Sequence, residues 1–192
     1  MSAPTDAAYP ARLNIDYPDR SLDRFSTFFR MLFAIPIMIV MAALGGGLGP
    51  AVGLMIVFRQ KYPRWWFDFN LEYTRFTTRV SAYLGLMNDT YPSTDEEQTV
   101  HVELDYPDAK QGLNRWLPLV KWLLALPHYV VLVVLFIGAF FAVLIAWFAI
   151  LFTGRYPRGL FTYVEGVNRW GLRVQAYVSL LITDRYPPFS LK

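Results

Sequence analysis

The chain has 192 residues, of which 55% are hydrophobic and 17% are charged, with a formal net charge of +3. This apolar share lies above that of ordinary soluble domains and the charged share lies well below it, which indicates burial against lipid. Cysteine is absent, and this excludes disulfides, thiolate nucleophiles and cysteine-ligated metal sites. The modest basic excess gathers beside the apolar runs, which favours an anionic membrane surface over nucleic acid as a partner.

In chain order, the first pattern is a short segment that opens each half of the chain, at residues 12–16 and again at 99–105. In the second segment Val100, Val102 and Leu104 alternate with polar residues. A period of two is typical of a half-buried strand. The two segments are predicted either to pair as a small extramembrane strand pair or to serve as extended linkers, and the sequence leaves both interpretations open.

Two long uncharged runs follow, at residues 31–58 and 122–154, and basic residues flank both. Uncharged runs of this length are typical of membrane segments. One straight helix over the first run would be about 42 Å long, against a hydrocarbon core of about 30 Å. A single span is therefore too long an interpretation, and a turn within each run is expected.

Glycines supply the candidate turns. Residues 45–50 of the first run contain four glycines and a proline, and Gly47 aligns with Gly138 of the second run. Each run is therefore predicted to form a helical hairpin, at residues 22–59 and 112–154. Because basic residues stand at both ends of each run, the positive-inside rule places both termini in the cytoplasm. Whether the hairpins cross the bilayer fully or are re-entrant stays open.

An amphipathic helix is predicted after each hairpin, at residues 65–88 and 159–182. Aromatic and aliphatic residues recur there at a spacing of three and four, which defines one apolar face suited to the membrane interface. The opposite face carries the same arginine pair in both copies, Arg75 with Arg79 and Arg169 with Arg173.

The arginine pairs have two interpretations. They could belong to an ordinary solvated face with intrahelical ion pairs, each of which adds only tenths of a kcal/mol. Alternatively, the two helices lie side by side and the four guanidinium groups form one cationic groove for phosphate or carboxylate groups. The second interpretation predicts a site for lipid or partner binding that consists of Arg75, Arg79, Arg169, Arg173, Tyr83, Tyr177, Asp89 and Asp184.

Asp89 and Asp184 follow the amphipathic helices, where their carboxylates could anchor Arg79 and Arg173 or cap the next turn. The two histidines, His101 and His128, do not have the spacing of metal ligands, and His128 is expected to pack rather than react. The sequence contains no nucleophile–base pair and no phosphate loop. The chain is therefore predicted to have no catalytic residues, no metal and no cofactor, and not to be an enzyme.

The chain repeats itself once. The order of matched motifs predicts a first repeat at residues 9–92, a linker at 93–98 and a second repeat at 99–189. The fold class that follows is an all-α integral membrane protein with two pseudo-symmetric repeats, each a helical hairpin plus an amphipathic interfacial helix. The matched motifs include Asp-Tyr-Pro-Asp at 16–19 and 105–108, and Tyr-Pro-Arg at 62–64 and 156–158.

The second repeat carries a distinctive set of motifs: Asn-Arg-Trp at 168–170, Arg-Val at 173–174, Ala-Tyr at 176–177 and Thr-Asp-Arg-Tyr-Pro-Pro-Phe at 183–189. With these motifs it resembles an uncharacterised family of bacterial membrane proteins that is known only as a domain of unknown function. The resemblance extends over nearly the whole chain as two tandem copies, of which the first is weaker. It implies a bacterial cytoplasmic membrane protein and transfers no activity.

Three functions compete on this basis. The first is a non-catalytic multi-pass subunit or scaffold of the inner membrane that binds a larger complex or anionic lipid at the cytoplasmic interface. The second is a component that handles or transports lipid or a small hydrophobic molecule, and the repeat is the main argument for it. A membrane enzyme fits poorly. Expected partners are membrane lipids and either another membrane protein or a second copy of the chain.

Overall fold

The computed structural model describes residues 9–44 and 49–192, and these are mostly helical with one pair of strands. The order of elements is β1 (Ala11–Ile15), α1 (Arg24–Phe28), α2 (Arg30–Leu44), α3 (Gly49–Arg59), α4 (Arg64–Leu84), β2 (Val100–Leu104), a 3-10 turn (Leu117–Leu119), α5 (Lys121–Leu124), α6 (Leu126–Thr153) and α7 (Arg158–Val178).

The two predicted strand segments pair with each other. β1 and β2 are antiparallel, with Leu13 opposite Val102 and Ile15 opposite Val100. The alternation of residue types becomes an alternation of burial, because the apolar residues of both strands are buried while the residues between them are exposed. The strand-pair interpretation is confirmed, and the linker interpretation is wrong.

The strands cover the two amphipathic helices in a crossed arrangement. β1 packs on α7, and β2 packs on α4. On the other side of these helices, α2 packs against α4 and α6 packs against α7. The described elements therefore form three layers, with the strand pair outermost on one side, α4 and α7 in the middle, and α2 and α6 outermost on the other.

The helices begin and end where local chemistry requires it. Asp23 caps α1 by accepting hydrogen bonds from the backbone N–H groups of Phe25 and Ser26. α4 and α7 begin directly after Pro63 and Pro157 of the Tyr-Pro dipeptides. Both end about four residues before the predicted ends, because Leu86 and Leu181 adopt left-handed backbone conformations that interrupt a helix.

The predicted hairpin at residues 112–154 is wrong. α6 runs without interruption from Leu126 to Thr153 and ends at Gly154, which has a left-handed φ of 72°. Gly138 lies inside this helix and not in a turn. A Cβ atom at Gly138 would collide with the Tyr163 hydroxyl of α7, so this glycine leaves room for the Tyr163 side chain against α6. In the first run, α2 and α3 flank the turn predicted near Gly47, which lies outside the described residues.

Candidate functional site

The predicted arginines lie beneath the strand pair and bind backbone carbonyls of the same chain. Arg75 of α4 donates from Nε to the carbonyl of Val102, at 3.2 Å. Arg169 of α7 donates from Nε to the carbonyl of Leu13, at 2.9 Å. Since Leu13 and Val102 face each other across the ladder, the two arginines bind the two strands at one rung.

These contacts cap the open edges of the strand pair. Ladder hydrogen bonds join Asp16 to Thr99 and Asp105 to Pro10. Bonded and non-bonded pairs alternate along an antiparallel ladder, so the backbone polar groups of Leu13 and Val102 point outward. An unpaired strand edge can pair with a strand of another chain, and a side chain bound to that edge prevents this pairing.

The β1 edge is capped by an ion pair. Glu165 accepts a hydrogen bond from the Ile15 backbone N–H at 3.2 Å, while Arg169 binds the carbonyl of Leu13. Glu165 and Arg169 bind each other at 2.5 Å one helical turn apart. One donor and one acceptor thereby occupy the positions that a third strand would use.

The second arginine of each pair binds a segment that follows a Tyr-Pro dipeptide. Arg79 donates to the carbonyl of Ser93 at 3.0 Å, and Arg173 donates to the carbonyl of Ser190 at 3.3 Å and also to that of Lys192. Burial and the nearby Arg169 guanidinium lower the pKa of Arg173. Arg75 and Arg79 thus hold β2 and the linker, whereas Arg169 and Arg173 hold β1 and the C-terminal segment.

A polar groove of ≈540 Å³ lies beside Arg75 and Arg79. It contains these two arginines and four acidic side chains, which gives it a mixed charge that does not favour phosphate. Within residues 9–44 and 49–192, no group of three or more histidine or acidic side chains is placed to hold a metal ion. The acidic residues of the groove are Glu72, Asp95, Glu97 and Glu103.

Asp89 does not bind Arg79 but Arg30, the first residue of α2. The Asp89 carboxylate lies 2.8 Å from Nη2 of Arg30, and Nη1 of the same guanidinium donates to the carbonyl of Asn88 at 2.7 Å. The guanidinium lies over the ring of Tyr83, 4.1 Å from its centroid. The Arg30 side chain is only 2% exposed, so its charge is compensated inside the protein.

Lys121 makes the same set of contacts in the other half. Its ammonium lies 2.7 Å from the carboxylate of Asp184 and donates to the carbonyl of Thr183. It also lies over the ring of Tyr177, 4.9 Å from the centroid. Burial lowers the pKa of Lys121, and the hydrogen bond to Asp184 opposes this change.

The predicted role of Asp89 and Asp184 as anchors of Arg79 and Arg173 is therefore wrong. Their partners, Arg30 and Lys121, are the basic residues that precede the apolar runs. In the sequence, Arg30 and Lys121 stand among the basic residues that flank the apolar runs, which indicate topology. The signal for their burial is that both repeats keep a basic residue at this position and an aspartate after the amphipathic helix.

His128 packs in the core, as expected from the sequence. It is fully buried, and its Nδ1 accepts a hydrogen bond from the Trp170 indole N–H at 3.1 Å. The ring stacks on Phe189 with centroids 4.0 Å apart. These contacts fix α6 to α7 and to the C-terminal segment.

The outer surface of α6 is apolar over its whole length. By length and composition it is the one helix among the described residues that is apolar enough to cross a membrane, and 22% of its apolar window is buried inside the protein. The buried residues, among them Ala139, Ala142 and Ala146, form one stripe towards α7. Large exposed side chains cover the rest of the helix: Val130, Val133, Val134, Ile137, Phe140, Phe141, Leu144, Ile145, Phe148 and Phe152.

The outer surface of the strand pair is polar. Arg12 forms ion pairs with Glu103 at 2.9 Å and with Asp105 at 3.0 Å, and His101 contacts Asp16 at 3.1 Å. All five side chains are exposed. The protein therefore presents a charged face and an apolar face on opposite sides of the α4–α7 layer.

Comparison with known proteins adds one finding. Residues 116–190 match the family described as "Domain of unknown function (DUF4389)". The matched segment contains α5, α6 and α7, including Lys121, Asp184 and the Glu165–Arg169 pair. No curated protein and no solved structure matches the chain.

Proposed function

We propose that the protein is a non-catalytic scaffold or subunit of the bacterial cytoplasmic membrane, held to the bilayer by its α2–α6 face. The observation that carries this proposal is the difference in polarity between the two outer layers. One face offers only apolar side chains along α6, and the other offers ion-paired polar side chains along both strands. Exposed apolar surface of this extent is typical of a membrane or protein interface.

The layering favours α6 in the plane of the membrane rather than across it. α7 runs antiparallel to α6, because Tyr163 binds the carbonyl of Leu135 while Trp170 binds His128. β1 lies along the other side of α7. If α6 crossed the bilayer, the exposed Asp16, which follows the Ile15 that binds Glu165, would lie near the level of Leu135 and would face hydrocarbon at a cost of several kcal/mol. With α6 in the plane, the charged face lies in water.

This arrangement replaces the expected multi-pass topology. It keeps both termini and the polar face on the cytoplasmic side, which agrees with the basic residues that flank the apolar runs. Because side chains cap the strand edge at Leu13 and Ile15, a partner meets the charged outer face and does not add a strand. We propose another membrane protein or a second copy of the chain as that partner, together with anionic lipid at the rim.

We further propose that the chain consists of two pseudo-symmetric halves, residues 9–92 and 99–189. The matching Arg30 and Lys121 contacts support this, as do the crossed strand contacts of Arg75 and Arg169. Two tyrosine contacts also match: the Tyr17 hydroxyl donates to the carbonyl of Tyr156 at 2.5 Å, and that of Tyr106 donates to the carbonyl of Tyr62 at 2.7 Å.

Depth measurements on α6 test the proposal. The chain has no cysteine, so Val130→Cys, Phe141→Cys and Phe152→Cys each carry one spin label in vesicles of phosphatidylethanolamine and phosphatidylglycerol. We expect the three labels to report similar immersion in hydrocarbon, with Asn14→Cys as the water-exposed control. A maximum depth at Phe141, with both ends near water, would refute the in-plane orientation. A protein that does not float with the vesicles would refute the membrane role itself.

A second candidate function, the handling of a lipid or small hydrophobic molecule, is favoured by one specific feature. This feature is the groove between α2 and α6.

A further inference from the structure

A groove of ≈550 Å³ opens between the α1–α2 segment and α6 on the apolar side of the protein. Its floor consists of residues from α4 and α7, and its walls are apolar and rich in aromatic rings, with Phe136 and Phe140 on the α6 side. Phe28 and Trp147 stack at 6.0 Å across the junction of α1 with α6. This volume and lining are typical of sites that enclose a hydrophobic ligand.

Two buried side chains that line the groove carry a polar atom without a hydrogen-bond partner in the described part of the chain. Thr27 is fully buried and Arg30 is 2% exposed, and both line the groove. Within residues 9–44 and 49–192, neither Thr27 Oγ1 nor Arg30 Nε has a hydrogen-bond partner. Most buried polar groups are paired, and an unpaired one costs about 1–3 kcal/mol. Two such groups in one groove indicate a ligand that completes them.

The structure assigns this groove to the acyl chain of a membrane phospholipid, with an ester carbonyl of that lipid bound at Thr27 and Arg30. This inference rests on the proposed function, since the groove opens on the face that meets the bilayer. The hydrocarbon chain lies against Phe136 and Phe140 of α6. The carbonyl oxygen accepts one hydrogen bond from Arg30 Nε–H and one from the Thr27 hydroxyl.

The charge balance at Arg30 determines which chemical group of a ligand fits beside it. Asp89 already compensates the guanidinium of Arg30 at 2.8 Å, so a carboxylate or phosphate at the same place would add an uncompensated negative charge. A neutral carbonyl adds an acceptor without adding a charge. The ester of an intact phospholipid therefore fits the groove better than a free fatty acid or an inserted headgroup.

Native mass spectrometry of the full chain, purified in a mild detergent and supplied with dioleoyl phosphatidylglycerol, tests this inference. We expect one phospholipid to remain bound. Val143→Trp fills the groove from α6, where Val143 is a lining residue, and should lower the bound fraction at least about tenfold because the acyl chain loses its space. Val134→Trp is the matched control, since Val134 lies on the same helix, is 64% exposed and does not line the groove.

Thr27→Val provides a second test that does not fill the groove. It keeps the shape of the side chain and removes the hydroxyl, so retention should fall roughly fivefold if the carbonyl binds there. Circular dichroism establishes that each variant is folded. Failure of the unmutated protein to retain phospholipid, or equal retention by Val143→Trp and Val134→Trp, would overturn the inference. Dioleoyl phosphatidylglycerol and oleic acid are supplied separately, and a preference for oleic acid would also contradict it.

Flotation with vesicles is measured in parallel, so that two different failures can be told apart. A protein that floats but retains no phospholipid in detergent refutes the groove and leaves the membrane role intact. A protein that retains a phospholipid but does not float refutes the membrane role and leaves the groove as a lipid site.

Discussion

The charge-neutralising substitution Asp89→Asn addresses the contact that fixes the start of α2. The Asp89 carboxylate lies 2.8 Å from Arg30, whose side chain is only 2% exposed, and it also accepts a hydrogen bond from the Asp23 backbone N–H at 2.8 Å. Asparagine keeps a similar shape and one acceptor oxygen. The substitution therefore removes the charge and leaves the packing nearly unchanged.

The expected cost follows from the surroundings of Arg30. Removing one partner of a buried ion pair costs about 3–5 kcal/mol, because the other charge stays buried without compensation. The Asn88 carbonyl and the Tyr83 ring still contact the guanidinium, so we expect the lower end, about 3 kcal/mol in the free energy of unfolding. For a chain of this size, such a loss lowers Tm by roughly 6–12 °C.

Thermal unfolding in detergent, followed by circular dichroism, measures this effect. Asp95→Asn is the matched control, because Asp95 is exposed and its carboxylate accepts a hydrogen bond from the Ser93 hydroxyl. We expect the control to shift Tm by no more than about 2 °C. If Asp89→Asn behaves like the control, the Arg30 guanidinium is solvated and the reasoning about its buried charge is wrong.

Two further substitutions test helix packing and the strand edge. In a denaturant titration, Gly138→Ala should lower the free energy of unfolding by about 1–3 kcal/mol, because its Cβ collides with the Tyr163 hydroxyl. The control Gly159→Ala should be neutral or stabilising, because a Cβ there meets no atom within 4 Å. Arg169→Lys keeps the charge but loses the planar fork that binds the strand and the C-terminal segment at once, so it should increase hydrogen exchange in β1. The exposed Arg155→Lys should leave that exchange unchanged.

Short-range patterns in the sequence predicted the strand pair and the two amphipathic helices because these patterns report burial directly. Val100, Val102 and Leu104 alternate with polar residues, and the structure buries them on one side. The same logic failed for α6, which is apolar almost all round and has no periodicity to separate a buried face from an exposed one. The length of the run and the presence of Gly138 predict a turn, whereas in the structure this glycine leaves room for the Tyr163 side chain against α6.

The candidate site was predictable in its residues but not in its contacts. The sequence shows the repeated arginines and aspartates, yet their partners lie far along the chain. Arg30 meets Asp89 across 59 residues, and Arg169 meets Leu13 across 156. Spacing within one helix cannot report such contacts. Nor can a sequence show that a backbone carbonyl, which every residue carries, is what an arginine binds.

Because each strand packs on the amphipathic helix of the other half, the order of synthesis leaves β1 without its partner helix for some time. β1 is synthesised before all the helices of the described chain, but it packs on α7, which follows the other helices in chain order. Until α7 leaves the ribosome, the apolar side chains Ala11, Leu13 and Ile15 have no layer to cover them, and the edge groups of Leu13 and Ile15 have no Arg169 or Glu165. Long-range contacts of this kind slow folding. A chain truncated before α7 would therefore expose β1 without the helix that covers it. If the two halves were expressed separately, each half would carry the strand that packs on the amphipathic helix of the other half.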